Sequence, residues 1–549
     1  MQRCVSVFLL FSTILLAQET GARYLIITHD DFYDAIQPLA EWKHRIGLRT
    51  KIVRTSQIGA TTEAIRNYVI DAYNTWPVQP EFLLLVGSPY HIPFYVFASS
   101  CYSDNYYTNM DYDIYNEILS GRLTVHNVTE AQTVINKILL YERTPYLQDS
   151  SWFISACLIA NEDYGVYPPI GNDSVYWNDI RHAKNHMLAN GYQIIDTLSD
   201  GLGNNSTNII QAVNNGRGFV VYRGLAYNNW SAPFDVIPDQ TANGAKLPIV
   251  LSITCGTIGT SLTPATAERW LLTGTPTSAR GGAGYFATTT AGVGFITFLR
   301  SAVCRGFFNA IFAEEKQTFG EACEGGRLNV YNMYGSASEY RGFTTLGDPA
   351  MMLWTAIPKP LDVLHDSTLS LEDDSLVVSV LSQEAPVESA LVCVLLDTIV
   401  YDYGLTDAAG QIRFDFTTLL PGQMHVTVTA RNKIPYLDSI SVVMTHVDET
   451  TGLEVTQFGG IEIRPNPFTH LTDIRYLITD DRQTRAIKVY DITGHLVTDL
   501  TERISVISHQ SSVKWDGSDA TGRRLPAGVY FVELEAGNWR TSEKLLLIR

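Results

Sequence analysis

The chain has 549 residues, with 39 basic and 57 acidic side chains and a net charge of −18 near neutral pH. Apolar residues make up 45% and charged residues 17%, which excludes a disordered or fibrous chain. The acidic balance argues against partners such as nucleic acid or an anionic membrane surface, and at roughly 150 residues per domain the length calls for several cores.

The amino terminus, with one basic residue at Arg3, the apolar stretch Cys4 to Ala17 and polar "QETG", predicts a signal peptide over residues 1–22, cut after Ala17 or Ala22. No later apolar run approaches the ~20 residues of a membrane span, so none is expected after its removal. Strand-like sequence begins at Tyr24, leaving no long pro-segment before the first domain. Of the seven cysteines, Cys4 leaves with the signal, and the other six show no CxxC spacing for a structural zinc site.

From "RYLIITH" onward, apolar runs alternate with amphipathic stretches. "DFYDAIQPLAEWKHRIG" has helical spacing through Phe32, Ile36, Leu39 and Trp42 and stops at Gly47. "RTKIVRT", "TTEAIRNYVIDAYNTW" and "EFLLLVG" continue the alternation, as do "TEAQTVINKILLYE", "FISACLIA", "VYWNDIRHAKNHMLANG", "GFVVYRG" and "LPIVLSITC". The pattern predicts an α/β fold of two mostly parallel sheet subdomains flanked by helices, over residues 23–147 and 148–358. Beyond "IPKPLDVL" the period becomes two, predicting all-β sandwich domains over 359–448 and 449–549.

Three strands of the second subdomain end in chemically capable residues. "FISACLIANED" runs out at Glu162, "GFVVYRGLAYNNW" at Gly224, Leu225 and Ala226, and "LPIVLSITCG" at Cys255. In a parallel sheet these ends share one edge, where a cleft forms. Cys255 is there either a nucleophile or an inert core thiol. Asp104, Asp111, Asp113 and Glu117 in "SDNYYTNMDYDIYNEI" read first as a solvated turn, and as hard oxygen donors they also suit a structural Ca²⁺ ion.

"YLIITHDDFYDAIQPLAEWKHRIGLRTKIV", "FLLLVGSPYHIPF", "SDNYYTNMDYDIYNEILSGRLTV", "YRGLAYNNW", "SITCGTIGTS" and "LGDPAMMLW" together resemble the gingipain-type family of secreted cysteine peptidases, over Tyr24 to about Thr355. The resemblance implies caspase-like subdomains with Cys255 as nucleophile and Glu162 as the acidic partner of a histidine base. Gly224, Ala226 and Gly256 would form the turn and the oxyanion donors, and Trp230 and Asp173, with Asp179, the substrate pocket. The base itself is missing: Leu225 stands where the family has histidine. An imidazole takes the thiol proton and protonates the leaving amine, and leucine does neither. His182 and His186, on a predicted helix, are the nearest histidines downstream of Glu162.

The β segments extend the resemblance. "GLTDAAGQIRFDF" and "VTVTARNKIPY" look like the immunoglobulin-like domain of that family, and "PNPF", "IKVYDITGHLV", "WDGSDATGRRLPAGVYFVEL" and "EKLLLIR" like a type IX secretion sorting domain or hook-capping-like sandwich. The expectation is therefore a secreted or surface-attached cysteine endopeptidase, impaired at its base and requiring no cofactor, with protein or peptide substrates and the bacterial secretion machinery as partners. The alternative is a pseudopeptidase that binds peptide or serves as a surface adhesion or structural protein.

Overall fold

The computed structural model describes residues 20–97, 101–260, 264–291, 296–397, 399–417, 419–443, 462–476, 485–492, 494–501, 505–507, 510–536 and 539–548. Most of the expected signal peptide lies outside the described residues, as do residues 444–461. The chain divides into two compact units, Met1–Met444 and Thr445–Arg549.

The first unit is built on one ten-stranded sheet. Its strands are β1 (Tyr24–Thr28), β2 (Thr50–Arg54), β3 (Phe82–Val86), β4 (Leu119–Leu123), β5 (Ser155–Ala160), β6 (Ile194–Ser199), β7 (Phe219–Arg223), β8 (Ile249–Ile253), β9 (Gly284–Thr288) and β10 (Phe343–Leu346). Their spatial order is β2-β1-β3-β4-β10-β9-β8-β7-β5-β6. "YLIIT", "FLLLV", "FVVYR" and "IVLSI" are buried at every position, as parallel strands covered on both faces must be. The cover comes from α1 (Tyr33–Arg45), α2 (Thr62–Thr75), α3 (Val128–Glu142), α4 (Asp173–Ala189), α5 (Ser206–Asn215), α6 (Thr266–Leu272), α7 (Ile296–Phe312) and α8 (Phe319–Tyr334).

The two expected α/β halves join into this single sheet at β10, which pairs parallel with β4 and antiparallel with β9. The halves therefore run in opposite directions. The carboxyl ends of β1, β3 and β4 lie on one edge, and those of β5, β7 and β8 on the other.

A β-sandwich follows within the same unit. One sheet holds Asp362–Leu364, Ser375–Ser382, Ala385–Pro386 and Gln411–Asp415, and the other Thr368–Ser370, Leu391–Leu396, Val400–Leu405, Gly422–Thr429 and Tyr436–Val443. Leu376, Val378, Val394, Val426 and Ile440 fill the space between them. The sandwich docks on α1, where Tyr401 donates its hydroxyl to the carbonyl of His44 at 3.0 Å. Arg431 adds a bond to the carbonyl of Ile311, at the end of α7, at 2.8 Å.

The second unit is a separate sandwich of two four-stranded sheets around Ile474, Ile487, Val513, Trp515, Val532 and Leu545. Alternating apolar positions along its strands supply that core.

Candidate active site

β7 pairs in parallel register with β5 and with β8, so Ala160, Arg223 and Ile253 finish together on one edge. The chain leaves β7 through Gly224 at φ +156°, where a Cβ would come within 2.7 Å of the Cβ of Asn161. Only glycine fits that exit. A tight hairpin follows, Ala226–Tyr227 paired with Asn229–Trp230, and Asn228 at its tip takes φ 57°.

Three hydrogen bonds hold the turn. Thr254 Oγ1 donates to the Gly224 carbonyl at 2.5 Å, and Tyr222 donates to the Leu225 carbonyl at 2.6 Å. The N–H of Asn228 donates to the Gly256 carbonyl at 3.1 Å, which ties the hairpin to the loop carrying Cys255.

Beside these loops lies a cavity of about 130 Å³ whose lining includes Asp163, Tyr176, Leu225, Cys255, Thr297 and Arg300. Cys255 is 8% exposed and Leu225 41%. Arg300, brought in by α7, donates from Nη1 to the sulfur of Cys255 at 3.1 Å. Its Nε faces Glu339 at 3.2 Å and its Nη2 donates to the Thr290 carbonyl at 3.3 Å. A guanidinium stays charged at any working pH and has no lone pair to accept a proton. It can orient the sulfur and balance negative charge there, but it cannot shuttle a proton.

Arg223 forms part of the cavity wall and is itself fully engaged. It pairs with Asp179 at 2.9 Å and donates to the carbonyls of Ile253 and of Thr297, the latter at 3.1 Å. Asp179 also meets Ser301 and Arg305, so it is a buried counter-ion. Partial burial, reinforced by the neighbouring Asp173, holds the Asp163 carboxyl above the usual carboxylate range.

The structure brings Cys255, Gly224 and Leu225 together at this cavity. Glu162 lies at the same sheet edge but faces elsewhere. Its oxygens accept from Trp177 Nε1 at 2.7 Å, Ser199 Oγ at 2.6 Å and the N–H of Gly201 at 3.2 Å. Asp173 is buried at the start of α4, where it accepts the N–H groups of Asp163 at 2.7 Å and Tyr164 at 3.4 Å. Trp230 stacks flat on Tyr222, with ring centroids 4.5 Å apart, and donates to Ser252 Oγ at 2.8 Å, as a core side chain. Ala226 is buried in the hairpin, and Gly256 accepts its crossing bond. His182 and His186 both reach Asn309 Oδ1, at 3.0 and 3.1 Å, and no histidine is among the described residues lining the cavity.

Of the expected calcium ligands, Asp104 forms a buried ion pair with Arg122, whose Nε stands 3.0 Å away. Asp111 and Asp113 gather instead with Glu117. Arg300 and Asp163 were not foreseen as cavity residues. The available signal for Arg300 was a charge in the otherwise apolar run "ITFLRSAVC".

Residues 17–354 match the family model described as Peptidase family C25, and residues 462–548 match Secretion system C-terminal sorting domain. The chain is 26% identical over 383 residues to Gingipain R1 of Porphyromonas gingivalis, covering 66% of this chain and 37% of that one. It is 22% identical over 454 residues to Lys-gingipain HG66 of the same organism, covering 77% and 26%. It thus spans little more than a third of the first of these relatives. Among solved structures, the Arg-specific cysteine proteinase gingipain R matches with a TM-score of 0.69 at 21% identity, covering 78% of this chain and 99% of that one, a likeness of fold.

Proposed function

The chain belongs to peptidase family C25, and from that premise we propose that it is a secreted cysteine peptidase acting on proteins, with Cys255 as its thiol and with amide cleavage impaired at Leu225. The family sets protein as the substrate class. The sorting domain at 462–548 marks the chain for export and makes the secretion machinery a partner. Among the described residues no helix is long and apolar enough to cross a membrane.

The observation that carries the reading is the chemistry gathered at the Cys255 cavity. Arg300 contacts it at 3.1 Å, and Leu225 lines the same cavity. Attack on a carbonyl needs the thiolate, which a neighbouring cation stabilises once the proton has left, but departure of the amine needs a proton delivered to nitrogen. Arginine does not supply that proton. A thiolate leaving group departs without one, so an acyl thioester escapes the block that stops an amide. Cys255, having given its proton to solvent and with Arg300 balancing its charge, forms the new S–acyl bond as the substrate's S–acyl bond breaks, and water then hydrolyses the Cys255 thioester to a carboxylic acid and the free thiol.

The test compares a peptidyl thioester with the amide of the same peptide. Hydrolysis of the thioester at a rate abolished by Cys255→Ala, with the amide slower by about two to four orders of magnitude, is the expected result. Amide cleavage matching the thioester would overturn the impairment. Failure of both substrates, with peptide still bound, would favour a pseudopeptidase, a reading that the exposed apolar Leu225 at the cavity also supports.

A further inference from the structure

The edge of the sheet opposite Cys255 carries a second cluster of side chains with chemical potential. His29 follows β1 directly and Asp31 lies two residues on, while His91 sits in the loop after β3, the neighbouring strand. Donor atoms of His29, Asp31 and His91 all lie within 4.8 Å of one another. The two imidazole rings have centroids 4.5 Å apart, tilted by 51°.

Both rings are held in place. The fully buried Phe32 packs edge-on against His91 at 5.2 Å and, tilted by 55°, against His29 at 5.9 Å. His91 Nδ1 is hydrogen-bonded to Ser88 Oγ at 2.9 Å, which fixes the ring and leaves Nε2 for another partner. Gly87, at φ +146°, lets His91 lie close, since a Cβ there would stand 2.8 Å from that of His91. The Asp31 side chain is 68% exposed, with Oδ2 3.4 Å from His29 Nδ1, and that nitrogen also accepts the Asp31 N–H at 3.3 Å, leaving Nε2 of His29 for a metal.

We propose that His29, Asp31 and His91 form a binding site for a divalent transition-metal ion of the Zn²⁺ type. Two imidazoles and one carboxylate suit borderline metals, whereas Ca²⁺ and Mg²⁺ prefer oxygen alone. Metal bonds of about 2.0–2.2 Å require the donors to draw together to roughly 3.3 Å, a contraction that Asp31 and small ring rotations supply. Three protein ligands leave a coordination position for water or for an outside ligand. Bound metal would clamp the loop after β1 to the loop after β3.

The test uses the full chain carrying Cys255→Ala, so that the active-site thiol binds no metal. Calorimetry with ZnCl₂ reads affinity and stoichiometry, and visible absorption with CoCl₂ reads coordination geometry. One ion is expected to bind, with affinity falling at least about tenfold in His29→Ala and in His91→Ala and by a similar factor in Ser88→Ala. His182→Ala with His186→Ala controls for the other histidine pair, whose rings lie 4.7 Å apart on α4, and should leave affinity unchanged. Circular dichroism confirms that each variant is folded. Absence of binding, equal affinity in folded His29→Ala and His91→Ala, or loss confined to the His182/His186 variant would each overturn the proposal.

Discussion

Arg300 donates to the sulfur of Cys255 at 3.1 Å while its Nε is held by Glu339 at 3.2 Å. The thiol is thus oriented by a cation with no capacity for proton transfer, and the 41% exposed side chain that shares its cavity, Leu225, has none either.

Leu225→His should therefore increase amide cleavage. The turn that presents residue 225 is already built, by Gly224 and by the bonds from Thr254 and Tyr222. Acid–base catalysis by a positioned side chain is worth about 10²–10⁴-fold, and an imidazole placed without its own orienting partner should reach the lower end. The readout is kcat/KM on a fluorogenic peptide amide, with Leu225→His in a Cys255→Ala background as the blank. An unchanged rate in the folded variant would place the missing function elsewhere.

Arg300 also serves stability. Glu339 is 1% exposed and is held by Arg300 and by Thr290 Oγ1 at 2.9 Å. Arg300→Met strands its carboxylate in the core, at a cost of about 3–5 kcal/mol. Arg300→Met with Glu339→Gln removes both charges and should recover more than half of that. Denaturant unfolding of the two variants decides it, and equal losses would show that packing, not charge, is what Arg300 supplies.

The legible part of this molecule is its periodicity. Buried runs such as "FVVYR" and "IVLSI" announced parallel strands, and the shared edge of Gly224, Leu225 and Cys255 followed from it. The direction in which Glu162 points did not, because Trp177, Ser199 and Gly201 decide it from other elements. Asp173 and Trp230 sit near the cleft in sequence, but the backbone amides of Asp163 and Tyr164 claim the first and the Tyr222 ring the second. The union of both halves in one sheet rests on β10, a four-residue strand whose two neighbours come from distant parts of the chain. A local pattern carries no information about such pairing.

Away from the cavity, Lys43 on α1 holds two carboxylates inside the core. Its Nζ lies 2.6 Å from Glu142, at the end of α3, and 2.6 Å from Asp348, just after β10. Trp42 Nε1 donates to the same Glu142 at 2.7 Å, and the Tyr24 hydroxyl to Asp348 at 2.8 Å. Lys43→Met should cost about 3–5 kcal/mol, since both acids lose their buried counter-ion. Asp348→Asn keeps an acceptor for Tyr24 and leaves Glu142 as the partner of Lys43, and it should cost less. A reversed ranking in denaturant unfolding would contradict this account.

The seam between the α/β sheet and its sandwich should weaken in mild acid. The His44 ring stacks on Tyr401 with centroids 4.2 Å apart, and its Nδ1 accepts the Thr50 N–H at 3.3 Å. Across the seam, Arg45 Nη2 lies 3.3 Å from His425 Nδ1, which accepts from it. Burial first, then Arg49 for His44 and Arg45 for His425, holds both pKa values below the ordinary 6.5, with Asp397 opposing weakly at His425. Between the folded values and 6.5 the unfolded chain binds more protons than the folded one. The stability contributed by the neutral rings is thus present above pH 6.5 and is lost as pH falls from there through the folded values. Calorimetric Tm should drop from about pH 7.5 to about pH 5.5, and the drop should shrink in His44→Gln with His425→Gln. An identical slope in that variant would assign the acid sensitivity to other histidines, such as His182, whose pKa burial also lowers.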